Sequence, residues 1–176
     1  MHERRNGLIG FVVVVMLVIL WFIDPTIVEM IDEVTETYRT DGAVIRVVDG
    51  DTVVVAQGDD DVTVRIIGIN TPETVDPRRA VECFGQEASD AAKTLLEGQV
   101  VTLVSDATQG DVDKYDRLLR YVELVDGTDV GLHLISQGYG YEYTYNTPYA
   151  RQSLYNDAED AARLAEIGLW AEDACD

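Results

Sequence analysis

From residue 42 onward the chain is rich in Val and Ile, and its hydrophobic pattern has a period of two. The pattern is clearest in segments 43–48, 52–56 and 62–67, and it is typical of half-buried β-strands. Asp49-Gly50 and Gln57-Gly58-Asp59, which separate these segments, are typical turn sequences. The pattern therefore predicts three strands joined as an antiparallel meander.

Two further strands are predicted at residues 100–104 and 118–125, with a polar loop between them. Helical patterns occupy 86–96, 131–137 and 150–167, and the first two are followed by a glycine. The predicted apolar stripe of the last helix consists of Ser153, Leu154, Ala158, Ala161, Ala162 and Ala165. Together these elements predict an α+β, mainly β fold, a five-stranded OB-type Greek-key barrel with about three helices.

The N-terminal segment has a different pattern. Arg4 and Arg5 precede an uncharged, mostly apolar run over residues 7–23, and acidic residues follow it. At about 1.5 Å per residue this run is long enough to span a membrane, and the charge order predicts that the C-terminal bulk lies outside. No small-x-small cleavage pattern follows the run, so we expect an N-terminal hydrophobic helix that is an uncleaved signal anchor; the alternative is a removed signal peptide.

The chain thus divides into a signal anchor or signal peptide at 1–24, an acidic tether at 25–41 and a barrel domain at 42–176. We expect the domain at the outer face of the cell membrane, or secreted if the anchor is cleaved. No obligate protein partner is indicated, and a monomer is expected.

The 176 residues include 33 acidic and 13 basic side chains, which give a formal net charge of -20. Such a surface repels itself at low ionic strength, whereas about 1 M salt shortens the Debye length to roughly 3 Å. The composition therefore predicts a halophilic protein. It also argues against a nucleic-acid partner at low salt, because polyphosphate binding normally uses a basic surface.

Two cysteines, Cys83 and Cys175, lie in the predicted exported part. An even count outside the cytoplasm favours one disulfide over two free thiols. A zinc site is not expected, because two cysteines without a suitably spaced His or second pair cannot complete a tetrahedral shell.

Three segments place polar and charged residues at the ends of predicted strands: 47–52 (VVDGDT), 65–74 (RIIGINTPET) and 113–117 (DKYDR). Each is a weak signal alone. In this order, together with 82–88 (ECFGQEA) and 168–170 (GLW), they resemble the staphylococcal-nuclease-like, or thermonuclease, family. The resemblance covers about residues 42–172.

The resemblance implies a calcium-dependent nuclease that hydrolyses phosphodiester bonds of DNA and RNA with low sequence specificity. Glu73 is implied to be the general base, and Arg65 and Arg117 are implied to stabilise the charge that develops on the phosphate. The implied calcium ligands are Asp51, Asn70 and the backbone carbonyl of Thr71. The implied substrate contacts are Lys114, Tyr115, Tyr143 and Tyr145.

Asn70 departs from the family pattern, which has an Asp at this position. An amide oxygen can still coordinate calcium, but one negative charge is lost, so we expect weaker calcium binding. Two other functions remain open: a non-catalytic, membrane-anchored OB-fold module that binds single-stranded nucleic acid, and a surface protein that binds a partner. Both are non-catalytic, whereas the two arginines and the glutamate favour an enzyme.

Overall fold

The structure, a computed structural model, describes residues 37–74 and 80–175. The predicted signal anchor and residues 25–36 of the predicted tether lie outside the described residues. Among the residues it describes, no helix is both long and apolar enough to cross a membrane.

Five strands form a closed barrel: β1 (Arg39–Asp49), β2 (Thr52–Gln57), β3 (Asp60–Ile66), β5 (Val100–Val104) and β6 (Leu118–Leu124). Around the barrel they lie in the order β1-β2-β3-β6-β5. The first three form the predicted antiparallel meander, and only β3 and β6 pair in parallel. The predicted five-stranded OB-type barrel is confirmed.

Two short strands outside the barrel were not predicted. β4 (Ile69–Asn70) and β7 (Tyr141–Glu142) pair antiparallel with each other. β1 also begins four residues before the predicted strand, because residues 39–43 pair with β5. Residues 39–41, which the sequence pattern assigned to the tether, therefore belong to the barrel.

Within residues 37–74 and 80–175 three α-helices accompany the barrel, as predicted: α1 (Gly85–Leu96), α2 (Val130–Ser136) and α3 (Gln152–Leu164), with a 3₁₀ helix at Gly168–Trp170. The predicted stripe of α3 is wrong in part. The helix buries Tyr155 and Ala162, whereas Leu154 is half exposed. The large Tyr155 ring sets which face of the helix turns toward the core.

Alternating Val, Ile and Leu side chains from all five barrel strands fill the interior, as the period of two requires. Tyr121, Tyr149 and Tyr155 extend this core toward α3, with ring centroids 5.6 to 6.4 Å apart. The helix is thus joined to the barrel wall through aromatic contacts.

A buried carboxylate, Asp106, lies at this junction. It accepts hydrogen bonds from the Tyr121 hydroxyl, the Ala150 amide (2.8 Å) and the amide and hydroxyl of Thr108 (2.8 and 2.7 Å). Burial alone would raise the pKa of Asp106, but these hydrogen bonds outweigh it and hold the pKa below its ordinary value. The ionised form therefore stabilises the folded chain.

Replacing Asp106 with Asn is expected to lower the free energy of unfolding by about 2–3 kcal/mol, because charge-assisted hydrogen bonds are lost and an amide donor faces other donors. The contribution of Asp106 is present above its unfolded pKa and is lost as the pH falls through the lower folded pKa. Denaturant unfolding as a function of pH checks both effects. The exposed substitution Asp157→Asn is the control, and equal stability of the two variants at pH 7 would contradict the assignment.

Candidate active site

Strand register brings distant parts of the chain to one end of the barrel. Thr52 of β2 pairs with Arg65 of β3, and Arg65 in turn pairs with Leu119 of β6. Asp51 precedes the first of these residues, and Arg117 lies two residues before the last. The period of two and the barrel closure therefore bring together groups that are far apart in sequence.

Arg65 is held by four groups. Its Nη1 donates to the carbonyls of Ile66 and Ile69 at 2.6 and 2.7 Å. Its Nη2 lies 3.0 Å from Oδ2 of Asp51 and 3.3 Å from Oδ1 of Asn70. With its side chain mostly buried, Arg65 has a fixed orientation, which favours recognition of a planar or tetrahedral oxyanion.

Asp51 is buried and sits at the centre of this arrangement. Its Oδ2 accepts the amide of Thr71 at 3.0 Å, and its Oδ1 accepts the hydroxyl of Thr52 at 2.9 Å. Asp49 lies beside it, since the Asp51 amide donates to Oδ1 of Asp49 at 3.2 Å. Burial and the neighbouring Asp51 charge raise the pKa of Asp49 to about 7. Two carboxylates therefore share one confined space.

Arg117, the residue immediately before β6, lines the same cleft. Asp113 binds its Nε and Nη2 at 2.7 and 2.6 Å, and its Nη1 donates to the Thr52 hydroxyl at 3.3 Å. Burial alone would raise the pKa of Asp113, but the hydrogen bonds from Arg117 outweigh it and lower the pKa. The Arg117 guanidinium also lies 5.4 Å from the centre of the Tyr115 ring. Hydrogen bonds through Thr52 and Asp51 thus connect the two arginines.

Glu73 follows β4 after only two residues. Its amide donates to Oε2 of Glu82 at 3.0 Å, and its carbonyl accepts the amide of Glu82 at 2.9 Å. The residue is partly exposed and lines the same cleft as the two arginines. This backbone pairing fixes where the Glu73 carboxylate can reach.

An open cleft of about 820 Å³ lies at this end of the barrel. All ten residues proposed for catalysis, metal binding and substrate contact line it: Asp51, Arg65, Asn70, Thr71, Glu73, Lys114, Tyr115, Arg117, Tyr143 and Tyr145. Cys83 and Cys175 do not line it; the structure joins them in a disulfide.

The tyrosines between residues 139 and 145 divide into two pairs. Tyr143 and Tyr145 line the cleft, with ring centroids 6.3 Å apart. Tyr139 stacks on Phe84, and Tyr141 packs edge-on against Trp170. Two of these four rings therefore border the cleft, and the other two serve packing.

Sequence reasoning did not identify several groups in and around the cleft. Thr52 and Asp113 orient Arg117, and Glu82 binds the Glu73 backbone. Asp113 could have been noticed because it lies in the same short motif as Arg117, with the opposite charge. Thr52 and Glu82 carry no such local signal, because the Thr52 contact depends on strand alignment and Glu82 lies nine residues from Glu73.

Oxygen donors dominate the predicted metal site. Asp51 contributes a buried carboxylate, Asn70 an amide oxygen and Thr71 a backbone carbonyl, all of which calcium accepts. Within residues 37–74 and 80–175, no three His, Cys, Asp or Glu side chains cluster closely enough to hold a metal ion. The donor chemistry fits calcium, and it relies on amide and carbonyl oxygens as well as carboxylates.

Comparison with known proteins gives a consistent result. A family model described as staphylococcal nuclease homologue matches residues 63–172. The chain is 35% identical over 137 residues to a thermonuclease of Staphylococcus hyicus, covering 77% of this chain and 76% of that protein. It is 37% identical over 131 residues to the SPbeta prophage-derived endonuclease YokF of Bacillus subtilis (strain 168), covering 72% of this chain but only 43% of YokF. Endonuclease YncB of the same strain is 36% identical over 131 residues, which cover 72% of this chain and 60% of YncB.

Proposed function

Because this chain belongs to the staphylococcal nuclease family, we propose that it is a calcium-dependent nuclease that hydrolyses phosphodiester bonds of DNA and RNA with low sequence specificity. The observation that carries the proposal is the lining of one cleft by two guanidinium groups and one carboxylate, from Arg65, Arg117 and Glu73. A negatively charged phosphodiester needs such cations, and its hydrolysis needs a base that activates water.

Glu73 acts as the general base in this proposal. Its partly exposed carboxylate accepts a proton from the water that attacks phosphorus, while the Glu82 contacts keep its backbone in place. Arg65 and Arg117 bind the non-bridging phosphate oxygens, and their fixed guanidinium planes match the charge that develops during attack. Positioning and electrostatic stabilisation then supply most of the acceleration.

Asp51, Asn70 and the Thr71 carbonyl are proposed to hold calcium. When bound, the ion polarises the phosphate and orients the attacking water. Asp51 also pairs with Arg65, so the same carboxylate links the metal site to the phosphate site.

Lys114, Tyr115, Tyr143 and Tyr145 are proposed to bind the nucleotide. All are exposed and line the cleft. Lys114 lies 4.9 Å from the centre of the Tyr115 ring, which places a cation beside an aromatic face. Stacking on tyrosine accepts any base, which supports low sequence specificity.

The net charge of -20 supports a nuclease that works at high salt, where long-range repulsion of the polyanionic substrate is screened. The N-terminal apolar run, preceded by Arg4 and Arg5, supports a catalytic domain anchored outside the cell membrane.

Digestion of plasmid DNA and of RNA by the full chain tests the proposed function, across a salt series and with calcium or a chelator. We expect both substrates to be cut with calcium, faster at molar salt, and neither to be cut with chelator. Binding of single-stranded DNA without cleavage under every condition would instead support a non-catalytic nucleic-acid-binding module.

Asn70→Asp is expected to tighten calcium binding about tenfold, since it restores one ligand charge. Isothermal titration of the full chain with calcium measures the dissociation constant. Asn146→Asp is the matched control, because Asn146 also lines the cleft but is not a proposed ligand. Equal tightening in both variants would contradict the assignment of Asn70 as a ligand.

A further inference from the structure

The Cys83–Cys175 disulfide lies outside the cleft lining, but Cys83 directly follows Glu82, which lines the cleft. Cys83 lies two residues before the first residue of α1, and Cys175 lies five residues after the 3₁₀ helix. The bond spans 92 positions of sequence. Because the disulfide directly follows Glu82, it can affect the cleft as well as the stability of the fold.

The segment Glu82–Gly85 supports the backbone of Glu73. Two hydrogen bonds join Glu82 to Glu73, and the Gly85 amide donates to the Glu82 carbonyl at 3.0 Å. A Cβ added to Gly85 would lie 3.2 Å from the carbonyl oxygens of Pro72 and Glu73. The first turn of α1 is therefore packed directly against the chain that carries Glu73.

This support is locally strained. Phe84 has φ of 64°, a left-handed conformation that is unfavourable for a bulky side chain. Its ring stacks on Tyr139 at 5.9 Å, and its neighbour Cys83 is held by the disulfide. Glu82 and Cys83 are exposed, so this turn lies at the surface.

The other end of the disulfide belongs to a well-anchored segment. The Leu169 amide donates to the Gly138 carbonyl at 2.9 Å, and the Trp170 ring packs against Tyr141 and lies 3.8 Å from the Arg163 guanidinium. Through Cys175 this segment provides a fixed point for the turn at Cys83.

We propose that the Cys83–Cys175 disulfide is a positioning device for Glu73, acting through Glu82. The inference rests on the proposed function, because it assumes that Glu73 is the base. Loss of the crosslink releases the Glu82–Gly85 turn, the Glu73 backbone moves, and its carboxylate is misplaced relative to the attacking water. The proposed phosphate and nucleotide contacts, which come from β3 and from residues 114–117 and 143–145, are unaffected.

The test compares the full chain with its Cys83→Ser/Cys175→Ser variant at high salt. We expect kcat to fall about tenfold, with KM and the calcium midpoint changed by less than twofold, because misplacement of a catalytic group affects the chemical step most. Amide hydrogen exchange at Glu73 is expected to accelerate, while barrel amides keep their protection. Reduction of the wild-type protein should lower kcat, and reoxidation should restore it.

Glu82 provides a second variant that leaves the disulfide intact. Glu82→Leu removes the acceptor for the Glu73 amide and should lower kcat as the double serine variant does. Glu82→Gln keeps an acceptor oxygen and should retain most of the wild-type kcat. Combining Glu82→Leu with the double serine variant should add little, because both changes act through one turn.

Two results separate the inference from the proposed function. If Glu73→Gln is inactive but the double serine variant keeps the wild-type kcat below its melting temperature, the disulfide only stabilises the fold and the inference is wrong. If Glu73→Gln retains full activity, the proposed general base is itself wrong, whatever the disulfide does.

Discussion

Replacing Glu73 with Gln is expected to lower kcat for DNA hydrolysis by about 10²- to 10⁴-fold, the usual contribution of general base catalysis. Gln has nearly the same shape and keeps a hydrogen-bond acceptor, but it cannot take a proton from water. KM should change little, because phosphate binding is assigned to the arginines. Steady-state kinetics on a defined oligonucleotide with saturating calcium measures both constants.

Glu87→Gln is the matched control for this variant. Glu87 lies in the first turn of α1, is exposed and does not line the cleft, so the same charge change occurs nearby without touching the site. Its kcat should stay within about twofold of wild type. Equal losses in both variants would mean that overall charge, not proton transfer at Glu73, explains the effect.

Arg117→Lys is expected to lower kcat/KM by about 10²- to 10³-fold, although the charge is retained. Lysine cannot bind two phosphate oxygens with a planar fork, and it cannot maintain both the Asp113 contacts and the hydrogen bond to Thr52. The loss should appear mainly in kcat, because the developing charge on the phosphate is greatest in the transition state.

Arg120→Lys, three residues away in β6, is its control. Arg120 pairs with Asp111 and lies outside the cleft lining, so activity should remain within about twofold of wild type. Wild-type activity of Arg117→Lys would show that a simple positive charge suffices at this position and would contradict the proposed role of the fork.

Much of the barrel was predictable from local pattern. Residues 43–67 alternate strongly and contain explicit turn sequences, so β1 to β3 and their antiparallel order followed from sequence alone. The pair β4 and β7 was not predictable, since each strand has two residues and two residues carry no periodicity. These strands depend on the completed barrel rather than on local propensity.

The same distinction applies to α3. Its small residues suggested an apolar stripe that included Leu154, but the helix turns to bury Tyr155. Tyr155 hydroxyl also donates to Asp129 at 2.7 Å, a partner that is not visible in the sequence of the helix. The tertiary contacts of the Tyr155 ring therefore determine which face of α3 is buried.

The residues proposed for the site could be chosen from the sequence because short motifs lie where strands end, and the order of these motifs indicated the family, which the family model confirms. That these residues line one cleft is an observation of the structure, and their roles stay predictions. The residues that hold these side chains in place could not be predicted. Thr52 links Arg117 to Asp51 only after β2, β3 and β6 align, and Glu82 reaches Glu73 across nine residues of sequence. Contacts of this kind follow from closure of the fold.

A crystal structure of the full chain with calcium and a nucleoside 3′,5′-bisphosphate tests the central claim most directly. We expect one phosphate to accept hydrogen bonds from both Arg65 and Arg117, with calcium on Asp51 and a water between phosphorus and the Glu73 carboxylate. A phosphate bound elsewhere, or bound by only one of these arginines with Glu73 turned away, would contradict the account.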